Sequence, residues 1–198
     1  MPLTIDPFAF PDPEFDPPAH GDHSIVLGGG CFWCTEAVYT ELEGVRQVEP
    51  GYAGGTRESA NYETVCSGST DHAEVIRVGY DAYRVSLGTL LKLFFSIAHD
   101  PTQKDRQGND IGRQYRSVIF YADEAQRRVA EAYIAQIDSA RVFDRKLVTE
   151  LMPLTAFYPA EAYHHDYARR NPNQGYIRAV SDPKVKKLKT MHSGLLKR

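Results

Sequence analysis

Two cysteines three positions apart, Cys31 and Cys34, are the residues of this sequence that most directly suggest chemistry. They lie in GGGCFWCTEA, where a strand-like run ends in glycines and a helix-like segment begins. Unpaired backbone N–H groups and the positive end of a helix favour a thiolate at that place. The spacing also brings the two side chains onto neighbouring turns, where a disulfide is sterically possible. The pattern predicts a nucleophilic thiolate at Cys31 and a resolving thiol at Cys34.

The glycines at positions 28 to 30 and the cysteines each have a plainer interpretation. Glycines let a substrate approach the backbone closely, but they also occur in tight turns of no functional importance. Free cysteines are often small buried residues that do not react. The segment lacks the Gly-Lys-Ser/Thr ending of a phosphate-binding loop and has an incomplete dinucleotide fingerprint, so it gives no support to nucleotide binding.

Composition restricts the class of protein. The chain has 198 residues, of which 42% are hydrophobic and 25% charged, and its net charge of -3 gives no general attraction to nucleic acid or to an anionic membrane. No apolar run approaches the roughly 20 residues that span a bilayer, and the N-terminus does not resemble a signal peptide. Three cysteines are too few for a disulfide framework and favour a thiol role in a reducing compartment. We therefore expect a cytoplasmic protein.

The elements that must position the cysteines can be read from the hydrophobic pattern. Residues 1–22 are rich in proline and predict an irregular arm, and residues 23–198 predict a single catalytic domain with a basic, weakly patterned tail from Asp182. Expected strands are SIVLGG, GVRQVEPGYAGG, AEVIRVGYD, YRSVIFYA and a segment around LVTELMPL. Expected helices are CFWCTEAVYTEL, two helices capped by Ser86 and Asp123, and a helix from Pro159 to Arg169.

This order of elements favours an α+β fold, a two-layer ferredoxin-like plait in which a mixed sheet carries helices, over a doubly wound parallel sheet. The polar segment HDPTQKDRQGNDIGRQ is long for a loop without regular structure. Because long loops in compact domains are often functional, we expect it beside the active site.

Several separated segments, in the right order, resemble the A-type peptide methionine sulfoxide reductases. The resemblance spans about residues 24–176 and is carried by GGGCFWC, GYAGG, NYETVCSGSTDHAEVI, GNDIGRQYRSVIFY and FYPAEAYHHDY. It implies an enzyme that reduces the S epimer of methionine sulfoxide, free or in proteins, and a role in repairing oxidised proteins. It also implies the two-layer plait, no bound cofactor, and Cys31 as the nucleophile.

The resemblance assigns roles to further residues. Selectivity for a sulfoxide over a thioether requires a hydrogen-bond donor for the extra oxygen, and a carboxyl kept protonated by burial can supply the proton. By resemblance, Glu74 is the proton donor, Tyr62 and Tyr115 donate hydrogen bonds to the same oxygen, Phe32 and Trp33 hold the substrate methyl group, and Asp110 is a polar pocket residue.

This chain departs from many members of the family at the recycling thiol. Where those members have GCFWG and resolving cysteines near the C-terminus, this chain has Cys34, and no cysteine follows Cys66. Cys34 is therefore the leading resolver and Cys66 its competitor. The Cys31–Cys34 disulfide would need an external dithiol, thioredoxin by family analogy. We expect a monomer.

Two other classes remain open at this stage. A zinc-binding module could use Cys31, Cys34, Cys66 and His72 as ligands, and a general disulfide exchanger could use the same CxxC pair. We assign no catalytic role to His72, to the paired histidines of YHHDY (His164 and His165), or to Glu36, for which the sequence predicts a solvent-exposed position near the start of a helix.

Overall fold

The structure, a computed structural model, describes residues 5–197; residues 1–4 of the expected arm and residue 198 of the expected tail lie outside the described residues. Its strands follow the expected order closely. They are, in chain order, β1 (Asp22–Gly29), β2 (Val45–Ala53), β3 (Ala73–Asp81), β4 (Arg106–Gln107), β5 (Asp110–Ile111), β6 (Ser117–Tyr121), β7 (Glu150–Pro153) and β8 (Phe157–Pro159).

Within residues 5–197, six of these strands form one sheet in the order β7-β6-β1-β3-β2-β8, and β4 pairs with β5 in a separate hairpin. The β6–β7 pair is parallel, whereas β1 pairs antiparallel with both β3 and β6, and β2 pairs antiparallel with both β3 and β8. The sheet is therefore mixed, and the α+β class expected from the sequence is confirmed.

Helices pack on this sheet. They are α1 (Phe32–Tyr39), α2 (Tyr62–Cys66), α3 (Leu87–Leu93), α4 (Glu124–Ser139), α5 (Tyr167–Arg170) and α6 (Asp182–Met191). Ser86 and Asp123 cap α3 and α4 as expected, each accepting a backbone N–H three residues later. No helix within residues 5–197 is both long and apolar enough to cross a bilayer.

Both faces of the sheet are covered. The helical face holds the larger core, in which Leu27 and Ile76 of the sheet meet Phe32 and Leu90 of the helices, all without exposed surface. A smaller cluster on the other face joins Val26, Val75 and Val118 with neighbouring apolar residues. Because β1 contributes to both cores, its C-terminal end is fixed in the middle of the molecule.

The glycines after β1 are explained by crowding at this strand end. A Cβ on Gly28 would lie 2.7 Å from Val118 Cγ1, and Gly30 has a φ of +89°, which L side chains rarely adopt. Here the plainer interpretation of the glycines suffices: they allow the strand to turn sharply into α1. The turn delivers Cys31 to the helix start.

Three expectations from the sequence are wrong in detail. The expected Pro159–Arg169 helix is absent from the described chain: β8 ends at Pro159, a 3₁₀ turn covers Ala162–His164, and α5 begins only at Tyr167. Asp166, with a φ of +54°, breaks the helical path between them.

The segments expected to lack regular structure contain some. The long polar segment includes the β4–β5 hairpin and a 3₁₀ turn at Arg113–Tyr115. The weakly patterned tail forms α6, which buries Lys184 and Leu188. These short or lysine-rich elements have no broad apolar stripe in their sequence.

Candidate active site

Cys31 is the residue that precedes α1, and Cys34 lies in its first turn. The Cys34 N–H donates to the Cys31 carbonyl at 3.1 Å, which closes the turn that holds the pair. Cys31 is 9% exposed and Cys34 1%. The expected placement of the two thiols at a strand-to-helix junction is therefore found.

The two thiols influence each other's pKa because a hydrogen bond joins them. Burial, the hydrogen bond with Cys34 and its negative charge raise the pKa of Cys31 well above its usual range. The hydrogen bond from Cys31 lowers the pKa of Cys34 to about 7, with Lys184 and the Tyr176 hydroxyl acting in the same direction. The two thiols therefore titrate as a pair, and the thiolate of Cys31 that attacks the substrate stays a prediction.

The narrow cleft beside Cys34 is lined by polar groups from distant parts of the chain. Cys34 Sγ and the Tyr176 hydroxyl are 3.9 Å apart, and that hydroxyl donates to Asp110 Oδ2. Lys184 of α6 borders the same narrow cleft. Asp110, expected in a polar pocket, is therefore beside the thiols, and the long polar segment that carries it lies at the site as expected.

Glu74 lies on β3, beside the start of α1. Its side chain is 2% exposed, and its Oε2 accepts the Phe32 N–H at 3.1 Å. Burial raises the pKa of this carboxyl to about 8, although the Phe32 hydrogen bond opposes the shift. At pH 7 the carboxyl is therefore mostly protonated, as a proton donor to a sulfoxide oxygen must be.

The two tyrosines predicted for the same oxygen site lie together. Tyr62 of α2 and Tyr115, both half-buried, hydrogen-bond to the thiol of Cys66, which also lies on α2. Burial and the charges of nearby groups, Glu74 among them, raise the pKa of both phenols, so both remain donors at neutral pH. The structure therefore gathers Tyr62, Tyr115 and Glu74 on the Cys31 side of the pair.

The two aromatic residues between the cysteines have different surroundings. Phe32 has no exposed surface and packs against Tyr52 and His164, so its contact with a substrate methyl group stays a prediction. Trp33 is half-buried and stacks on Tyr167 with ring centroids 3.9 Å apart. Of the two residues, Trp33 is therefore better placed to form an apolar wall against a substrate methyl group.

His164 is a residue of the site that sequence reasoning passed over. It has no exposed surface, its Nδ1 accepts the Trp33 indole N–H at 3.0 Å, and its ring centroid lies 4.4 Å from that of Tyr62. Burial lowers its pKa, so the ring is neutral and can accept this bond. The YHHDY string was the available signal, and it forms part of a 3₁₀ turn at the site.

Two further histidines considered in the sequence, His72 and His165, form hydrogen bonds to backbone groups. His72 has no exposed surface, and its ring nitrogens are bonded to the Gly55 N–H and the Thr56 carbonyl. His165 bonds the Ala160 carbonyl. The four ligands of the zinc alternative are not gathered as a metal-binding group within the part of the chain that the structure describes.

Glu36 is also placed differently from the expectation. Its side chain is buried, with 3% exposure, and accepts the Asp166 N–H at 2.9 Å. Burial raises the pKa of Glu36 to about 7. The expectation of a solvent-exposed carboxylate is wrong, because the segment around Asp166 folds over this side of α1.

The chain is similar to known proteins over nearly its whole length. The family model described as "Peptide methionine sulfoxide reductase" matches residues 23–195. The chain is 48% identical to peptide methionine sulfoxide reductase MsrA 2 of Synechocystis sp., over 98% of this chain and 94% of the relative. It is 49% identical to MsrA of Natronomonas pharaonis, over 82% of this chain and 90% of the relative.

Solved structures give the same result. Reduced Mxr1 from Saccharomyces cerevisiae is 34% identical, with a TM-score of 0.69 over 78% of this chain and 88% of that chain. Methionine sulfoxide reductase A of Corynebacterium diphtheriae is 35% identical, with a TM-score of 0.68 over 78% of this chain and 77% of that chain.

Proposed function

This chain belongs to the peptide methionine sulfoxide reductase family and is an oxidoreductase that reduces methionine sulfoxide; from that premise we propose that it acts on the S epimer, free or in proteins, with Cys31 as the nucleophile. The observation that carries the residue assignment is the position of Glu74, a buried and mostly protonated carboxyl at the start of α1, beside Cys31. A disulfide presents no oxygen to protonate, so a disulfide exchanger does not require a proton donor for a substrate oxygen.

The first half of the reaction forms methionine. Cys31, as the thiolate, attacks the sulfoxide sulfur. Glu74 donates its proton to the oxygen, while Tyr62 and Tyr115 donate hydrogen bonds to it. The oxygen leaves as the hydroxyl of a Cys31 sulfenic acid, so the Cys31 sulfur is oxidised by two electrons and the substrate sulfur is reduced by two.

The second half closes the disulfide. The Glu74 carboxylate left by the first half, whose pKa burial raises, takes the proton of the Cys34 thiol. The Cys34 thiolate then attacks the Cys31 sulfur, the S–O bond breaks, and the hydroxide leaves as water with the Glu74 proton. An external dithiol, thioredoxin by family analogy, reduces the disulfide and returns the enzyme to its starting state.

The remaining proposals concern the setting of the reaction. We propose a cytoplasmic monomer that repairs proteins under oxidative stress and carries no bound cofactor. We also propose that residues 23–198 form one domain with the arm of residues 1–22 along it; the burial of Phe10 supports this. The all-antiparallel order β6-β1-β3-β2 supports a ferredoxin-like plait at the centre of the sheet.

Turnover of each separate epimer by the wild type, Cys31→Ser and Cys34→Ser tests the function. We expect the wild type to reduce the S epimer repeatedly with thioredoxin, Cys31→Ser to reduce none, and Cys34→Ser to release one equivalent of methionine and stop. Peptide mapping after one equivalent of substrate identifies the bridge. A Cys31–Cys66 disulfide would refute the assignment of Cys34, and reduction of the R epimer alone would refute the stereochemical proposal.

A further inference from the structure

A buried lysine faces the thiol pair from the C-terminal helix. Lys184 of α6 is 4% exposed, and its Nζ donates to the Ala98 carbonyl at 2.6 Å. It lines the same cleft as Cys31, Cys34 and Tyr176. Neither the expected site residues nor the reaction steps described above include this side chain.

The ammonium of Lys184 needs an anion nearby. Lysine is almost never fully buried unless it is paired, because removing its charge from water costs several kcal/mol. The Ala98 carbonyl satisfies one N–H but is neutral. The cleft offers Cys34, whose pKa the positive charge of Lys184 lowers.

The other groups around Cys34 act in different ways. Hydrogen bonds with Cys31 and with the Tyr176 hydroxyl lower the pKa of Cys34, whereas Asp110, which accepts the Tyr176 proton, contributes a negative charge that raises it. Glu74 also interacts electrostatically with Cys34, but it is mostly protonated at pH 7. Lys184 supplies positive charge to this set, so the Cys34 thiolate depends on it.

We propose that Lys184 is a positioning residue for the recycling half of the reaction, in which its buried ammonium, in the same cleft as Cys34, stabilises the Cys34 thiolate that attacks the Cys31 sulfenic acid. The proposal rests on the proposed function for the reaction it serves. In that step the Cys34–Cys31 S–S bond forms, the Cys31 S–O bond breaks, and water leaves. Lys184 donates no proton and contacts no substrate.

The expected change in the rate of disulfide closure follows from two opposing effects of removing the Lys184 charge. Loss of an opposite charge beside a buried thiol lowers its thiolate fraction at pH 7 by roughly tenfold or more. A less acidic thiol gives a thiolate that is several-fold more nucleophilic. Disulfide closure in Lys184→Met should therefore be about 3-fold slower than in the wild type at pH 7, but equal to or faster than it above about pH 8. A loss of structure would slow closure at every pH.

The charge on Cys34 can be measured without turnover. Reduced protein labelled with ¹³C-cysteine contains three cysteines, which serine variants assign, and the Cβ shift of Cys34 against pH gives its thiolate fraction. We expect Lys184→Met and Lys184→Gln to lower this fraction at pH 7 roughly tenfold, and Lys184→Arg to restore most of it. A folded Lys184→Met protein that keeps the wild-type fraction would overturn the proposal.

Lys187, one turn along α6, provides the matched control. Its Nζ also donates to a backbone carbonyl, that of Ile5, at 2.7 Å, and burial lowers its pKa. Lys187→Met therefore removes a comparable ammonium and should leave the Cys34 titration unchanged. An equal loss in both variants would contradict a specific role for Lys184.

The rate of disulfide closure is followed in parallel by stopped-flow fluorescence of Trp33, the single tryptophan. A wild type that reduces no sulfoxide would refute the proposed function and leave the titration result intact.

Discussion

Replacing Glu74 by glutamine should change how the stability of the protein depends on pH. The Glu74 carboxyl has a pKa of about 8 in the folded protein because it is buried, against an ordinary value of 4.5. Between these two values the folded state binds more protons than the unfolded state, so the unfolding free energy falls as pH rises. Glutamine has the same shape and does not titrate, so this contribution is lost in the variant.

The magnitude follows from the two pKa values. Integrating the proton uptake between pH 5 and pH 8 gives a loss of about 3 to 4 kcal/mol in the wild type that Glu74→Gln does not share. Most of it falls between pH 5 and pH 7.5. Glu74→Gln should therefore gain stability relative to the wild type as pH rises, while its sulfoxide reduction falls because the proton donor is gone.

Urea unfolding of both proteins under reducing conditions at pH 5, 6, 7 and 8 measures the difference directly. Glu63→Gln, which removes an exposed carboxylate from α2, is the matched control, and its difference from the wild type should not grow with pH. If the difference between the wild type and Glu74→Gln stays constant from pH 5 to pH 8, Glu74 is not a neutral buried acid and cannot be the proton donor proposed here.

Three further outcomes are expected. Trp33→Phe removes the indole N–H that donates to His164 at 3.0 Å, and should raise KM by about 2- to 10-fold with little change in single-turnover rate, as measured by steady-state and quenched-flow kinetics. In Gly30→Ala the added Cβ would lie 2.7 Å from a neighbouring side chain, and the residue has a φ of +89°. This variant should lose about 1 to 3 kcal/mol of unfolding free energy, as measured by urea unfolding. Gly175→Ala, with nothing within 4 Å of the added Cβ, should not lose stability in this way. Burial lowers the pKa of His99 to about 3, so the unfolded state binds more protons below pH 6.5 and stability falls as pH drops; the ring shifts of His99 in NMR spectra should stay constant from pH 8 to pH 5.

The sequence predicts the parts of this fold that have strong local patterns. The helices capped by Ser86 and Asp123 combine a helical period with a clear cap, and the strand before Cys31 is an apolar run that ends in glycines where α1 begins. Glu74 follows only from the family resemblance, because a carboxylate on a strand is by itself more often solvated. Local chemistry is enough where a segment specifies its own structure.

The parts that depend on distant contacts could not be predicted. Lys184 and Tyr176 come from the last quarter of the chain, yet both line the cleft at Cys34. The α6 helix that carries Lys184 has many lysines and reads as a solvated segment, since nothing local shows that one ammonium is buried. Glu36 was misplaced for the same reason, because its burial is caused by the segment around Asp166, 130 residues later in the chain.

The protons of the proposed cycle can be followed from group to group. Glu74, whose pKa burial raises to about 8, gives its proton to the sulfoxide oxygen, which becomes the hydroxyl of the Cys31 sulfenic acid. The Glu74 carboxylate left by that step takes the proton of the Cys34 thiol, and the resulting thiolate closes the disulfide. The same carboxyl then gives this proton to the departing hydroxide, which leaves as water. A single buried carboxyl thus serves as acid in the first half of the cycle and as base and then acid in the second, so its burial beside the start of α1 matters to both halves.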